Sequence, residues 1–230
     1  DLMFLYWSGA AAFSYEKQNE PLDPTRQIFY PDKWPRCQFD GRTITTSKGQ
    51  LIPVRDCQLA IWLDPRASRE ITRNDYAAAP LVARERSSGM TFVLRCLIDR
   101  VDTSNQLLWL WEYFARYPHA TYGYEDNGFQ VMIADLLETQ RAERRARHLP
   151  DQLPLTGYTS TKNKLDRIIS LQPKCDLGWI EWADGLPELL IQQFRQVPTG
   201  THDDGPDAVE RAIWLLDGPT TATIDMGVSW

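Results

Sequence analysis

Residues 201–208 read Thr201-His202-Asp203-Asp204-Gly205-Pro206-Asp207-Ala208, which puts three carboxylates and an imidazole within six positions. Such a group can hold a hard cation, or it can simply begin a helix. The next stretch, Val209-Glu210-Arg211-Ala212-Ile213-Trp214-Leu215-Leu216, reads as a short apolar helix. The Asp pair therefore falls near a helix N-terminus, where Asp is a favoured cap and the macrodipole favours negative charge. Capping needs one Asp. Several together cost like-charge repulsion unless a cation neutralises them. Taken alone, the segment reads as a turn followed by a capped surface helix.

Two further acidic points change that reading. Asp64 ends the apolar run Leu59-Ala60-Ile61-Trp62-Leu63, and Glu125 ends the segment from His119 to Tyr124 and opens Glu125-Asp126-Asn127. Each has a plain alternative: Asp64 before Pro65 as a turn residue, and Glu125-Asp126-Asn127 as a helix cap. In layered α/β sheets, however, ligand sites gather at the carboxyl ends of strands and at adjacent helix N-termini. If the two strands are neighbours, Asp64 and Glu125 come within reach of one ion, and the last helix adds Asp204. Asp203 and Asp207 would then assist. Hard divalent cations with oxygen ligands suit such a set.

The elements that must carry these residues are legible from pattern. Leu59-Ala60-Ile61-Trp62-Leu63 has the continuous apolar character of a strand buried on both faces. Residues 78–83 and 91–97 predict two more strands, joined by a hairpin at Arg86-Ser87-Ser88-Gly89. The spacing of Leu107, Leu108, Trp111 and Phe114 predicts an amphipathic helix over 105–117. A strand over 119–124, a long helix over 128–147 with a basic end, and a strand over 155–159 follow. Residues 162–171 and 187–195 predict helices, and 179–182 predict a strand between them. The order gives an α/β domain with a mixed sheet and helices on both faces. Residues 15–58 are rich in Pro, Asp, Gln and Lys, so 1–56 is expected to be an arm or linker and 57–230 the folded domain.

Bulk properties narrow the possible functions. A hydrophobic content of 43% with 9 Trp, 9 Tyr and 8 Phe supports a real core and excludes wholesale disorder. A net charge of −6 and a pI of about 5.1 exclude a protein that coats nucleic acid through its overall field. Any phosphate contact must be local. Candidates are Lys162, Lys164 and Arg167, and the basic helix end with Arg144 and Arg145. For both sets a solvated helix face is the plain alternative. His202 reads as a turn residue, or as a group that orients a ligand or water. Cys37, Cys57, Cys96 and Cys175 form no Cys-x-x-Cys pair, which argues against structural zinc and a disulfide framework. His119, His148 and His202 accompany no nucleophile motif. Residues 2–13 are apolar but too short to span a bilayer. Because the chain begins at Asp1, it is expected to be a fragment of something longer.

In order along the chain stand Ile61-Trp62-Leu63-Asp64-Pro65, Asp75-Tyr76, Glu125-Asp126-Asn127, Lys162-Asn163-Lys164-Leu165-Asp166-Arg167-Ile168 and His202-Asp203-Asp204-Gly205-Pro206-Asp207-Ala208. This series resembles the nuclease domain of tailed-bacteriophage large terminase subunits. Gln18-Asn19-Glu20-Pro21 is similar to the Gln-Asn-x-Pro segment that precedes that domain. The resemblance implies an RNase H-like fold and a metal-dependent endonuclease that cuts concatemeric double-stranded viral DNA during genome packaging. It also implies one or two Mg²⁺ or Mn²⁺ ions on Asp64, Glu125 and an Asp of the last motif, with Asp204 favoured. A portal protein and a small terminase subunit would be partners, in the host cell cytoplasm, with no membrane involved. The ATPase of such subunits is not encoded here, since the chain has no Gly-x-x-x-x-Gly-Lys-Ser/Thr loop. Another RNase H-like enzyme, such as a transposase or junction resolvase, and a non-catalytic docking module of a packaging motor are the alternatives.

Overall fold

The structure, a computed structural model, describes residues 27–65, 76–126 and 130–218. The apolar stretch 2–13, the segment Gln18-Asn19-Glu20-Pro21, Asp75 and Asn127 lie outside the described residues. Strand β4 (Cys57–Leu63) pairs antiparallel with β5 (Ala77–Glu85), and β5 with β6 (Thr91–Asp99). On its other side β4 runs parallel to β7 (Thr121–Glu125), which runs parallel to β8 (Leu155–Tyr158). Beyond β6, the parallel strands β9 (Ile180–Ala183) and β1 (Arg36–Phe39) continue the sheet. The antiparallel pieces β2 (Thr43–Thr45) and β3 (Leu51–Pro53) end it. The described residues thus make one nine-stranded mixed sheet, in the order β3-β2-β1-β9-β6-β5-β4-β7-β8. Its centre is RNase H-like, with three antiparallel strands followed by two parallel ones.

Helix α1 (Thr103–Arg116) links β6 to β7, and α2 (Gln130–Ala146) links β7 to β8. Helices α3 (Lys164–Ile169) and α4 (Gln172–Asp176) lead to β9. Helices α5 (Glu188–Gln196) and α6 (Asp204–Leu216) follow it. The sides of the sheet can be assigned from two consecutive residues of β7. Tyr122 packs its ring against Phe114 of α1, 6.1 Å between centroids. A Cβ on Gly123 would lie 2.8 Å from the Trp62 ring and 3.1 Å from Leu215 of α6. Successive strand residues face opposite ways, so α1 and α6 cover opposite faces. The continuous apolar reading of β4 follows from this, since Ala60, Ile61, Trp62 and Leu63 are all buried.

The described residues of the expected arm, 27–56, are part of the sheet. Residues 27–56 carry β1 to β3 and deliver Ile28, Phe29, Trp34, Cys37, Ile44 and Ile52 to the core. Trp34 stacks on Trp182 of β9 at 4.1 Å, and Phe29 meets Phe194 of α5 edge-on at 5.3 Å. Ser47, in the turn between β2 and β3, donates from both its amide and its hydroxyl to buried Glu181 on β9. Strands of three or four residues interrupted by Pro and Gly are too short to show periodicity, so this stretch looked like an arm.

Gly205 fixes how α6 begins. A Cβ there would lie 2.6 Å from Leu190 Cδ1 and 2.9 Å from Gln193 Oε1 of α5, and the Gly205 amide donates to that same Gln193 oxygen at 2.8 Å. The first turn of α6 therefore touches α5 through bare backbone. Gly205→Ala is expected to lower unfolding free energy by about 1–3 kcal/mol through overpacking. Chemical denaturation measures this; an unchanged midpoint would show that the contact does not hold α6 in place.

Candidate metal centre

Asp64 and Glu125 are brought together by strand register. Leu63 on β4 pairs with Tyr124 on β7 in a parallel ladder, so the next residue of each strand is a carboxylate. The Asp64 backbone is pinned by two hydrogen bonds to Ala78, its amide to the Ala78 carbonyl at 2.9 Å and its carbonyl from the Ala78 amide at 3.2 Å. Asp207, in the first turn of α6, supplies the third carboxylate. One ligand oxygen from each of Asp64, Glu125 and Asp207 lies within 4.8 Å of the others. Their side chains are 13%, 10% and 1% exposed, so water provides little compensation for three negative charges.

Asp203 and Asp204 stand beside this triad. Asp203 precedes the first residue of α6 but makes no side-chain capping bond; its carboxylate lies 2.9 Å from Lys164 Nζ. Asp204 accepts from the Tyr76 amide at 3.2 Å and lies 3.4 Å from Lys164 Nζ. The capped-surface-helix reading therefore fails, because Asp204 and Asp207 are largely buried and all three Asp carboxylates lie within 4.0 Å of Lys164 Nζ. The residue that joins Asp64 and Glu125 geometrically is Asp207, which the sequence reading had placed among the helpers. Packing decides this: Gly205 to Val209 are all buried, so the whole first turn of α6 is enclosed and Asp207 with it, whereas Asp203 and Asp204 stay partly exposed.

Two cations offset part of the cluster's charge. Asn163 caps α3 by accepting from the Leu165 amide at 2.8 Å, and Lys164 and Arg167 then project three residues apart on one face. Arg167 grips both oxygens of Asp207, from Nη2 at 2.8 and 2.7 Å and from Nε at 3.0 Å, while Nη2 also lies 3.5 Å from Glu125. Such a bidentate pair is the strong form of a charge-assisted bond. Arg167 was expected at DNA phosphate; it is instead a buried wall of the site, because unpaired buried carboxylates would cost more than its desolvation. Lys164 also turns inward, whereas Lys162 is exposed and lends its carbonyl to Arg167 Nη1 at 3.3 Å.

The electrostatics follow from this crowding. Burial, with the negative charge of Asp207, Glu125 and Asp204, raises the Asp64 carboxyl well above its ordinary value against the pull of Lys164. Burial raises Asp207 too, and Arg167 partly offsets it. Glu210, one turn further along α6, is pushed by burial to about 7 and lies 4.0 Å from Arg167. Sequence reasoning missed Glu210. Its only signal was the three-residue spacing from Asp207.

The other candidates are not part of the centre. Arg144 lies over the Trp111 ring at 4.3 Å and donates to the Pro150 carbonyl at 2.6 Å; Arg145 pairs with Asp151 at 2.8 Å. Both tie the end of α2 to the loop behind it, roughly 20 Å along the helix from its start. His202 meets Tyr76 edge-on, with ring centroids 5.1 Å apart, and its Nδ1 is 4.0 Å from Asp204, too far for a hydrogen bond. A depression of about 600 Å³ lined by Arg55, Arg86, Arg116 and His119 lies at the opposite ends of β4 and β7 from the acids.

Replacing Arg167 by Met would strip a buried acid pair of its partner. The expected loss is about 3–5 kcal/mol, and Arg167→Lys should recover only part of it for want of the two-pronged geometry. Thermal or urea unfolding checks both; equal stability of Arg167→Met and the parent would remove Arg167 from this role.

Sequence comparison finds no matching protein-family model and no matching curated protein. Comparison of folds does find relatives. The human cytomegalovirus terminase nuclease domain, in its Mn-soaked, inhibitor-bound form, aligns at a TM-score of 0.49 and 14% identity over 72% of this chain and 86% of that one. The bacteriophage P22 large terminase nuclease domain aligns at a TM-score of 0.54 and 15% identity, covering 84% of this chain and 93% of that chain. The fold of this chain is that of the P22 large terminase nuclease domain.

Proposed function

We propose that this chain is a divalent-metal-dependent DNA endonuclease that cuts concatemeric double-stranded viral DNA during genome packaging. One observation carries the reading. Asp64, Glu125 and Asp207 offer oxygens within 4.8 Å at the carboxyl ends of adjacent parallel strands and in the first turn of α6. The P22-like fold supports it, because it ties that geometry to a nuclease architecture. The donor set fits a hard divalent cation such as Mg²⁺ or Mn²⁺: it is all carboxylate, largely shielded from water, and carries an Asp64 whose charge is unfavourable without a counter-ion.

Each residue then has a distinct task. Asp64, Glu125 and Asp207 hold one or two ions, and Asp203 and Asp204 extend the negative rim. A cation bound there supplies an acidified water as nucleophile and positive charge for the leaving oxygen in phosphodiester hydrolysis. Arg167 keeps Asp207 and Glu125 oriented from the buried side. Lys162, exposed two residues before α3, is the side chain assigned in this reading to a DNA phosphate. In the same reading the partners are double-stranded DNA, a portal protein and a small terminase subunit, in the host cell cytoplasm. No helix among the described residues is long and apolar enough to cross a membrane.

Linearisation of supercoiled plasmid with Mn²⁺, Mg²⁺ or EDTA tests the proposal. Cutting should require a divalent ion and should fall by on the order of a hundredfold or more in Asp64→Ala, Glu125→Ala and Asp207→Asn, each assayed below its melting temperature, with Asp207→Asn melting below the parent because buried Arg167 loses its charged partner. Asp204→Asn should cost no more than about tenfold, as a neighbour that shapes the site rather than a member of the triad. Cutting in EDTA, or full activity of Asp64→Ala, would defeat the nuclease assignment and favour a docking module.

Binding to a short duplex gives a separate check on the phosphate contact. Lys162→Ala should weaken binding and reduce the slope of log affinity against log salt by about one, whereas Arg144→Ala with Arg145→Ala should leave that slope nearly unchanged. The reverse pattern would move the DNA path to the end of α2.

A further inference from the structure

One ammonium faces four carboxylates. Lys164 Nζ lies 2.9 Å from Asp203, 3.4 Å from Asp204, 3.9 Å from Asp207 and 4.0 Å from Asp64. Two of these belong to the triad and two to the rim, so the lysine bridges them. A surface lysine ordinarily pairs with one acid and gains little. This one is drawn into the space between four acids, where a cation has most to offer.

The two basic residues of α3 differ in kind. Arg167 is 5% exposed and fixed by three hydrogen bonds to Asp207, which makes it a permanent part of the wall. The Lys164 side chain is 36% exposed, so it reaches the cluster from the open side on a flexible stem. Burial opposes its charge, yet the four carboxylates outweigh that and strengthen its hold on the proton.

Charge counting shows what this means for ions. Five carboxylates (Asp64, Glu125, Asp203, Asp204 and Asp207) face two built-in cations, and Glu210 behind Arg167 is offset by its neighbour Arg211, which leaves three negative charges when all five are ionised. One divalent ion brings the cluster to a single negative charge. A second would carry it past neutrality, unless an anion such as a phosphodiester arrived with it or a resident cation left.

We propose that Lys164 is a resident counter-cation that occupies the outer cation position of the cluster, so that the free protein holds one divalent ion and admits a second only when a DNA phosphate enters or Lys164 is removed. The inference rests on the metal-dependent reading above. A second ion would need oxygens of Asp64, Asp203, Asp204 or Asp207 that now face the ammonium. On entry of DNA the displaced ammonium has a new anionic partner in the phosphate, which makes the exchange nearly charge-neutral.

Manganese titration followed by electron paramagnetic resonance of free Mn²⁺, with the protein as it stands and without DNA, provides the test. The parent should take up one ion. Lys164→Met should take up two, with the second bound at least about tenfold more tightly than any second ion on the parent. Lys164→Arg should behave as the parent. Without metal, Lys164→Met should melt below the parent, and Mn²⁺ should close that gap. Two ions on the parent, or one ion on both parent and Lys164→Met, would overturn the proposal while leaving the metal centre intact. No ion on either would overturn the metal centre and this inference together. Should Lys164→Met fail to fold, the parent alone decides: one ion rising to two on adding a short DNA duplex upholds the inference, and two ions without DNA defeats it.

Discussion

Carboxylates at the ends of neighbouring parallel strands repel one another, and water cannot relieve them once a helix closes over the strand ends. That is the condition of Asp64 and Glu125, with Asp207 pressed in from α6. The constraint is met by placing fixed positive charge behind the acids and a movable positive charge in front of them. Arg167 supplies the first through its two-pronged grip on Asp207, and Lys164 the second through its position among four acids. Neither cation would be desolvated to this degree without the carboxylates, and the carboxylates could not stay charged and adjacent without the cations. A stable protein and a concentrated cluster of negative charge thus come from the same arrangement.

The rest of the fold serves that arrangement. Parallel pairing of β4 with β7 sets two carboxylates side by side, and the bridge to Ala78 prevents the first from fraying away from the sheet. Gly123 leaves space for the Trp62 ring beneath α6, and Arg211 lies over both Trp62, at 4.7 Å, and Trp214, at 3.7 Å. Helix α6 is thereby held to the sheet along its length, while Gly205 sets the depth of its first turn against α5. The packing that buries Asp207 and leaves Asp203 and Asp204 at the rim is a product of these contacts.

How much of this was legible in the sequence depended on the range of the interaction that encodes it. Leu59-Ala60-Ile61-Trp62-Leu63 declared a buried strand because both its faces are covered, and the acid that ends it declared a strand-end site. The choice among Asp203, Asp204 and Asp207 was not legible: each follows the same turn, and only packing against α5 orients them. Lys164 and Arg167 read as phosphate contacts, with a solvated face as the alternative, because charge spacing on a helix does not reveal which way the helix is turned. The strands of residues 27–56 were hidden for a different reason. Each is too short to show alternation, and their stability comes from partners such as Trp182 and Glu181 far along the chain.

The centre is also dispersed along the chain in a way that governs when it can exist. Asp64 and Glu125 belong to strands made early, and Arg167 to a short helix made later. Asp207 lies on α6, the last described element and the one that packs over the central strands. A growing polypeptide that has emerged only as far as β9 holds Asp64 and Glu125 without the third carboxylate of α6 and without the packing of α6 on Trp62. Synthesis order therefore sets when the cluster can form: Asp207 can join Asp64 and Glu125 only once α6 has been made and has packed onto the sheet.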